Sequence, residues 1–220
     1  MGRRVGGVDD AGRGCIIGPL VVAGVAMEES RMPELEELGV KDSKLLSPAG
    51  RRRLYSKIRE VADAIVSIKV PPEEVDRFVA RRKKFEKLNL LEAIAFSRVI
   101  GKLGAELVYV DASDTDVERF RRSISEIVGE SVVVVSAHHA DAKYPIVSAA
   151  SIIAKVDRDA EVKKLKDEHG DFGSGYPSDP RTREFLRNWI ERYGELPPFS
   201  RKTWKTWKKL GAGDLRRFSL

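Results

Sequence analysis

Two apolar runs near the N-terminus limit what this chain can fold into more than anything else in it. Val5 to Val8 ends at Asp9, and Leu20 to Met27 follows a glycine-rich turn as a near-continuous apolar stretch. A run that is apolar on both faces of an extended strand belongs inside a sheet covered from both sides. The two runs are expected to pair as neighbours. Ser47-Pro48, an N-cap followed by proline at the first helical position, opens a helix over Arg51 to Val61 with Leu54, Ile58 and Val61 on one face. Ala64 to Val70 reads as a third strand, and Pro71-Pro72 opens a helical stretch that breaks near Leu88-Asn89 and runs to about Lys102. Leu107 to Val110 is a strand ending at Asp111, Val117 to Ile127 a helix, and Val132 to Val135 a fifth strand. A loop over His138 to Tyr144 precedes a long helix, Val147 to Leu165, whose small residues Ser148, Ala149, Ala150, Ser151 and Ala154 suit close packing on a sheet. A loop from Gly170 to Pro180 and two shorter helices follow. Alternation of this kind predicts an α/β fold, one sheet domain over 1–168 and an appendage over 169–220.

At 220 residues and 42% hydrophobic, the chain can bury one sizeable core, and its length suits a monomer. Lys and Arg number 40 against 34 Asp and Glu, a net charge of +6 that favours polyanionic partners. The single cysteine, Cys15, excludes an intramolecular disulfide framework, suits a cytoplasmic protein and reads as a small buried apolar residue. Arg3-Arg4 ahead of an apolar run imitates a secretory leader, but acids and glycines interrupt it and no stretch is long enough to span a membrane.

Acids at strand ends carry the chemistry. Asp9 and Asp111 each follow an apolar strand, and Asp141 lies just beyond the fifth. The carboxyl edge of an open α/β sheet is where ligands bind. Each aspartate alone is more often a turn former or N-cap, but three delivered to one edge repel unless a cation neutralises them. Hard oxygen donors with no matching Cys or His set point to Mg²⁺ or Mn²⁺ and to phosphodiester hydrolysis. Gly12-Arg13-Gly14 follows directly, where glycines admit a close backbone approach and Arg13 can meet a phosphate; a plain tight turn explains the glycines equally well. The segment is neither a P-loop nor a dinucleotide fingerprint. His138 and His139, adjacent in a loop, read as loop residues rather than ligands.

Gly7-Val8-Asp9-Asp10-Ala11-Gly12-Arg13-Gly14 followed by Gly18-Pro19-Leu20 closely resembles the opening of the ribonuclease HII family. Asp42-Ser43-Lys44-Leu45-Leu46-Ser47, Tyr109-Val110-Asp111, Ala140-Asp141-Ala142-Lys143-Tyr144-Pro145, Ser148 to Lys155 and Gly173 to Pro180 resemble further family motifs in the same order, and the last points to the archaeal-type branch. The resemblance implies an RNase H-like fold, a five-stranded mixed sheet flanked by helices with a small helical C-terminal appendage. It implies a metal-dependent endonuclease of replication and repair that hydrolyses the RNA strand of RNA/DNA hybrids. Such an enzyme also cuts 5′ of single ribonucleotides in duplex DNA, leaving 3′-hydroxyl and 5′-phosphate ends. Its four catalytic, metal-holding acids fall on Asp9, Asp10, Asp111 and Asp141. Gly12, Arg13, Gly14 and Tyr176 would read the ribose 2′-hydroxyl, the group that separates RNA from DNA. Ser43, Lys44 and Asn89 would contact backbone phosphate.

The family carries Glu where this chain has Asp10, which reaches roughly 1.5 Å less. An active enzyme is expected; the alternative is a hybrid-binding protein whose catalysis is crippled by that residue. Arg201 to Lys209 interleaves basic and aromatic residues, which either cover duplex backbone or anchor the appendage through Trp204 and Trp207. Leu215-Arg216-Arg217-Phe218 resembles a degenerate sliding-clamp-binding peptide, through Leu215 and Phe218, or is a frayed tail.

Overall fold

The computed structural model describes residues 2–40, 46–80, 87–205 and 207. Strands β1 (Arg4–Ala11) and β2 (Leu20–Glu28) come first, then a 3₁₀ turn and the short helix α1 (Met32–Glu37). Helix α2 (Pro48–Val61), strand β3 (Ala64–Val70) and helices α3 (Pro72–Ala80) and α4 (Lys87–Leu103) follow. Strand β4 (Leu107–Asp111), helix α5 (Val117–Val128) and strand β5 (Val133–Ala137) complete the sheet, after which come helices α6 (Ala140–Lys143), α7 (Pro145–His169) and α8 (Pro180–Tyr193).

The sheet runs β3-β2-β1-β4-β5. β1 is antiparallel to β2 and parallel to β4, and β4 is parallel to β5. This is the expected five-stranded mixed sheet with flanking helices. β2 is buried along eight of its nine residues, as its unbroken apolar run requires. Caps fall where short polar side chains precede helices: the Ser47 hydroxyl accepts the Gly50 N–H, Asp116 the Arg119 N–H and Asp179 the Arg181 N–H.

Three expectations change. Leu88 and Asn89 lie inside the first turn of α4 and not at a break, because the apolar spacing through Leu91 and Ala95 outweighs the small helix penalty of one asparagine. The loop from His138 to Tyr144 contains the one-turn helix α6, set off by His139 in the left-handed region at φ 54. α7 starts earlier and ends later than its small-residue core, with Pro145 at its first position. Of the two short helices expected near the C-terminus, α8 is described, and most of the segment past Thr206 lies outside the described residues.

Backbone proximity divides the chain into two compact units, Met1–Ala11, Val21–Lys69 and Lys84–Asp157 in the first, and Gly12–Leu20, Val70–Lys83 and Arg158–Leu220 in the second. Each has its own apolar core. In the first, Val5, Ala11, Val21, Val25, Leu107, Ile146, Val147 and Ala150 pack the α7 face of the sheet. In the second, Ile16, Ile17, Phe172, Leu186, Phe199 and Trp207 pack together. No described helix is long and apolar enough to cross a membrane.

Candidate active site

In the first unit the acids meet where the parallel strands end. β1 and β4 pair in register from Val5 opposite Leu107 to Val8 opposite Val110, so the next step along both strands is Asp9 and Asp111. Side chains alternate faces along a strand. Asp9 therefore shares the face of Gly7, which lies against the backbone of Ile146 and Val147 in α7. Asp9 is buried. Its Oδ1 accepts the Asp10 N–H at 2.7 Å. Burial, then the like charges of Asp10 and Asp111, raise the Asp9 carboxyl to about 8; the nearby Ser151 hydroxyl and the Asp10 N–H pull the other way without winning. Asp10, one residue on, leaves toward the opposite face, where its Oδ1 accepts the Ser113 hydroxyl at 3.2 Å. Asp111 Oδ1 accepts the Ala140 N–H at 2.8 Å, which fixes the start of α6 and brings the buried Asp141 to the same strand ends. Tyr144 stacks on Tyr109 at 4.2 Å between ring centres, closing that side.

Among the described residues no group of three or more His, Cys, Asp or Glu side chains is arranged to hold a metal ion by itself. Asp9 and its two like-charged neighbours nonetheless fit a hard divalent cation. Mg²⁺ in particular takes one or two carboxylates and fills its remaining positions with water and substrate phosphate. His138 and His139 form the turn that leads into α6.

The second unit holds the Gly12-Arg13-Gly14 loop and Tyr176. Gly12 has φ +86, and a β-carbon there would sit 2.6 Å from the Arg158 Nε and the Pro19 carbonyl oxygen, so no other residue fits. Gly175 is similarly required, at φ +79 with a β-carbon 2.9 Å from the Ile17 carbonyl oxygen; its own carbonyl accepts the Ile16 and Ile17 N–H groups. The Arg158 guanidinium stands over the Tyr176 ring at 4.7 Å and donates to the Ser174 carbonyl. Trp207 is buried in this unit's core and Trp204 packs partly buried against it, which favours anchoring for the two tryptophans; Arg201 is buried, and Lys202 and Lys205 are exposed. Cys15 is buried, as expected.

Asn89 is engaged within the protein. Burial alone would raise the Asp114 carboxyl, but the Arg119 guanidinium, the Asp116 N–H and the Asn89 amide outweigh it and pull it down to about 2. Ser43, Lys44, Leu215 and Phe218 lie outside the described residues. Ser113 and Arg158 were not anticipated at a site. Ser151 was visible as a small residue of a helix inside a family-like motif, and Arg201 as one cation of a stretch read as covering duplex backbone or anchoring the appendage; nothing local marked Ser113 or Arg158.

The fold and carboxylates together define an α/β enzyme whose acids gather at the ends of parallel strands. The family model for Ribonuclease HII matches residues 6–207. A Ribonuclease HII of Thermococcus kodakarensis is 46% identical over 207 residues, covering 94% of this chain and 89% of that one. Among solved structures, the PCNA:RNase HII complex from Archaeoglobus fulgidus matches at TM-score 0.86 and 46% identity, covering 94% of this chain and 96% of that one. The ribonuclease H2 from Pyrococcus horikoshii OT3 matches at TM-score 0.86 and 44% identity, with the same coverage. The chain belongs to the ribonuclease HII family, and it is a ribonuclease H of type 2.

Proposed function

We propose that this enzyme hydrolyses the RNA strand of RNA/DNA hybrids and cuts 5′ of single ribonucleotides in duplex DNA, leaving 3′-hydroxyl and 5′-phosphate ends. The observation that carries this reading is the buried Asp9 set against the like charges of Asp10 and Asp111 at the strand ends, an arrangement that calls for a cation. A bound Mg²⁺ or Mn²⁺ supplies the activated water and the stabilised leaving oxygen. Asp9 and Asp141 would hold it, Asp111 would orient the site through the Ala140 N–H it accepts, and Asp10 would serve metal and ribose from the next position on β1. In the second unit, Gly12, Arg13, Gly14 and Tyr176 read the 2′-hydroxyl, with Arg158 steadying the Tyr176 ring. Ser43, Lys44 and Asn89 meet backbone phosphate. Residues 1–168 carry the cutting chemistry, and 169–220 carry the tyrosine loop and the appendage.

Incubation with a duplex containing one ribonucleotide, first with Mg²⁺ and then with Mn²⁺, should give a single cut 5′ of the ribose. Absence of cleavage with both ions overturns the reading. Asp10→Glu should change the rate by less than about tenfold, a difference of about 1.4 kcal/mol in the barrier. The crippled-catalysis reading finds its support in the Ser113 hydroxyl that engages Asp10, and it predicts the reverse, binding without cutting until Asp10→Glu restores it.

The Archaeoglobus relative was solved in complex with PCNA. We extend that partner to this chain through Leu215 and Phe218. Truncation after Gly211 should abolish retention on immobilised sliding clamp, and unchanged retention refutes the assignment.

A further inference from the structure

We propose that Arg201 is a positioning residue whose buried guanidinium sets the direction of the Arg13 and Gly14 backbone N–H groups; the proposal rests on the reading that this loop senses the ribose. Arg201 is 0% exposed. Its Nη1 donates to the Arg13 carbonyl, and its Nη2 donates to the carbonyls of Gly12 at 2.7 Å and Gly18 at 3.4 Å. Its own N–H donates to the Ile16 carbonyl at 2.8 Å. Its carbonyl accepts the Trp207 indole N–H at 2.8 Å, and its guanidinium lies 4.8 Å from the Trp204 ring centre. Among the described residues no carboxylate stands within ion-pair distance of it.

A buried cation without a counter-ion is costly. Burial disfavours the charged form here and the neighbouring Arg158 adds to the cost, while Cys15, Tyr176 and the Asp76 carboxylate, beyond ion-pair distance, pull the other way without winning. The direct contacts that offset it are the carbonyls of the loop, so the loop and the cation hold each other. In a trans peptide the C=O and N–H groups point in opposite directions. The Gly12 carbonyl shares a peptide with the Arg13 N–H, and the Arg13 carbonyl shares one with the Gly14 N–H. Turning both carbonyls onto Arg201 therefore turns both N–H groups away from it. Successive N–H groups turned alike make a concavity for an anion or a hydroxyl oxygen, and Gly14 is exposed. The planar fork is what reaches two adjacent carbonyls together; a lysine ammonium keeps the charge without that geometry.

The test measures affinity for two duplexes of one sequence, all-DNA and with a single ribonucleotide, by fluorescence anisotropy in Ca²⁺ to prevent cutting. In Arg201→Gln the preference for the ribonucleotide duplex should fall by about tenfold or more, the size of losing a well-placed polar contact. Affinity for the all-DNA duplex should stay within about twofold. Equal weakening on both duplexes, as a general loss of folding produces, or an unchanged preference, overturns the proposal. Arg201→Lys decides the matter if the glutamine variant does not fold. A reduced preference at a melting temperature near that of the parent supports the proposal, and a full preference overturns it. A parent protein with no preference at all refutes the ribose reading before any substitution is made, and this proposal falls with it.

Discussion

Asp9→Asn should abolish cutting and at the same time make the metal-free protein more resistant to heat at pH 8. Loss of the metal ligand proposed at Asp9 should remove several kcal/mol of barrier lowering, on the order of a thousandfold or more in rate. The stability change follows from burial and like charge, which lift the Asp9 carboxyl from 3.8 to about 8. A raised acid keeps in the folded state a proton that the unfolded chain has already lost. Folding is therefore weakened as pH climbs from about 4 to about 8, and below that window both states are protonated and no cost remains. Asparagine cannot ionise, so the variant should melt at a nearly constant temperature across the window and several degrees above the parent at its upper end. Each kcal/mol is worth about 2–4 °C in a domain of this size. Mg²⁺ or Mn²⁺ should raise the melting temperature of the parent at pH 8, by binding the folded state alone, and leave the variant unmoved. Scanning calorimetry at pH 5 and pH 8 checks both parts. A variant that melts no higher than the parent at pH 8 would show that Asp9 is not electrostatically strained.

The largest expected loss of stability comes from a methyl group placed between β1 and α7. A β-carbon at Gly7 would lie 2.4 Å from the Ile146 carbonyl carbon and 2.6 Å from the Val147 nitrogen. These are backbone atoms of a helix held along its length, so they cannot step aside as a side-chain tip would. Gly7→Ala should cost about 3 kcal/mol or more, lowering the melting temperature by about 6–12 °C. It should also push α7 away from Asp9, since Ser151 lies one helical turn beyond Val147 and Asp9 two strand residues beyond Gly7, on the same face. Gly101, in α4, has nothing within 4 Å of its would-be β-carbon. Gly101→Ala should stabilise by about 0.5–1 kcal/mol, through helix propensity and the stiffer unfolded chain. Urea unfolding of the pair measures both signs; a Gly7→Ala protein as stable as the parent would mean that sheet and helix are not in contact there.

Much of this protein could be read from one dimension. The apolar runs placed all five strands, and the strand-end aspartates marked three of the four acids that the family resemblance implies, because periodicity and turn chemistry act over a few residues. The fourth acid, Asp10, came from family resemblance, since alternation along β1 sends it to the other face, where a carboxylate reads as an ordinary surface group. The helix break set near Leu88-Asn89 was misplaced and the one-turn helix α6 was read as loop for a local reason: one asparagine and a short polar segment carry too weak a signal to fix a boundary.

What the chain determined by itself was composition, strand content and the residue types available for chemistry. Only the tertiary structure decided which of them meet. Asp9 and Asp111 become neighbours through the parallel register of strands about a hundred residues apart, a pairing fixed by burial of both sheet faces. Arg201 reaches the Arg13 carbonyl across 188 residues, and a cation that looks like surface in a basic stretch turns out to be sealed inside, bonded to the loop it was not read with. Burial depends on what packs against a residue from elsewhere in the chain. It is therefore the property that sets both the raised Asp9 carboxyl and the role proposed for Arg201, and the one that local sequence does not contain.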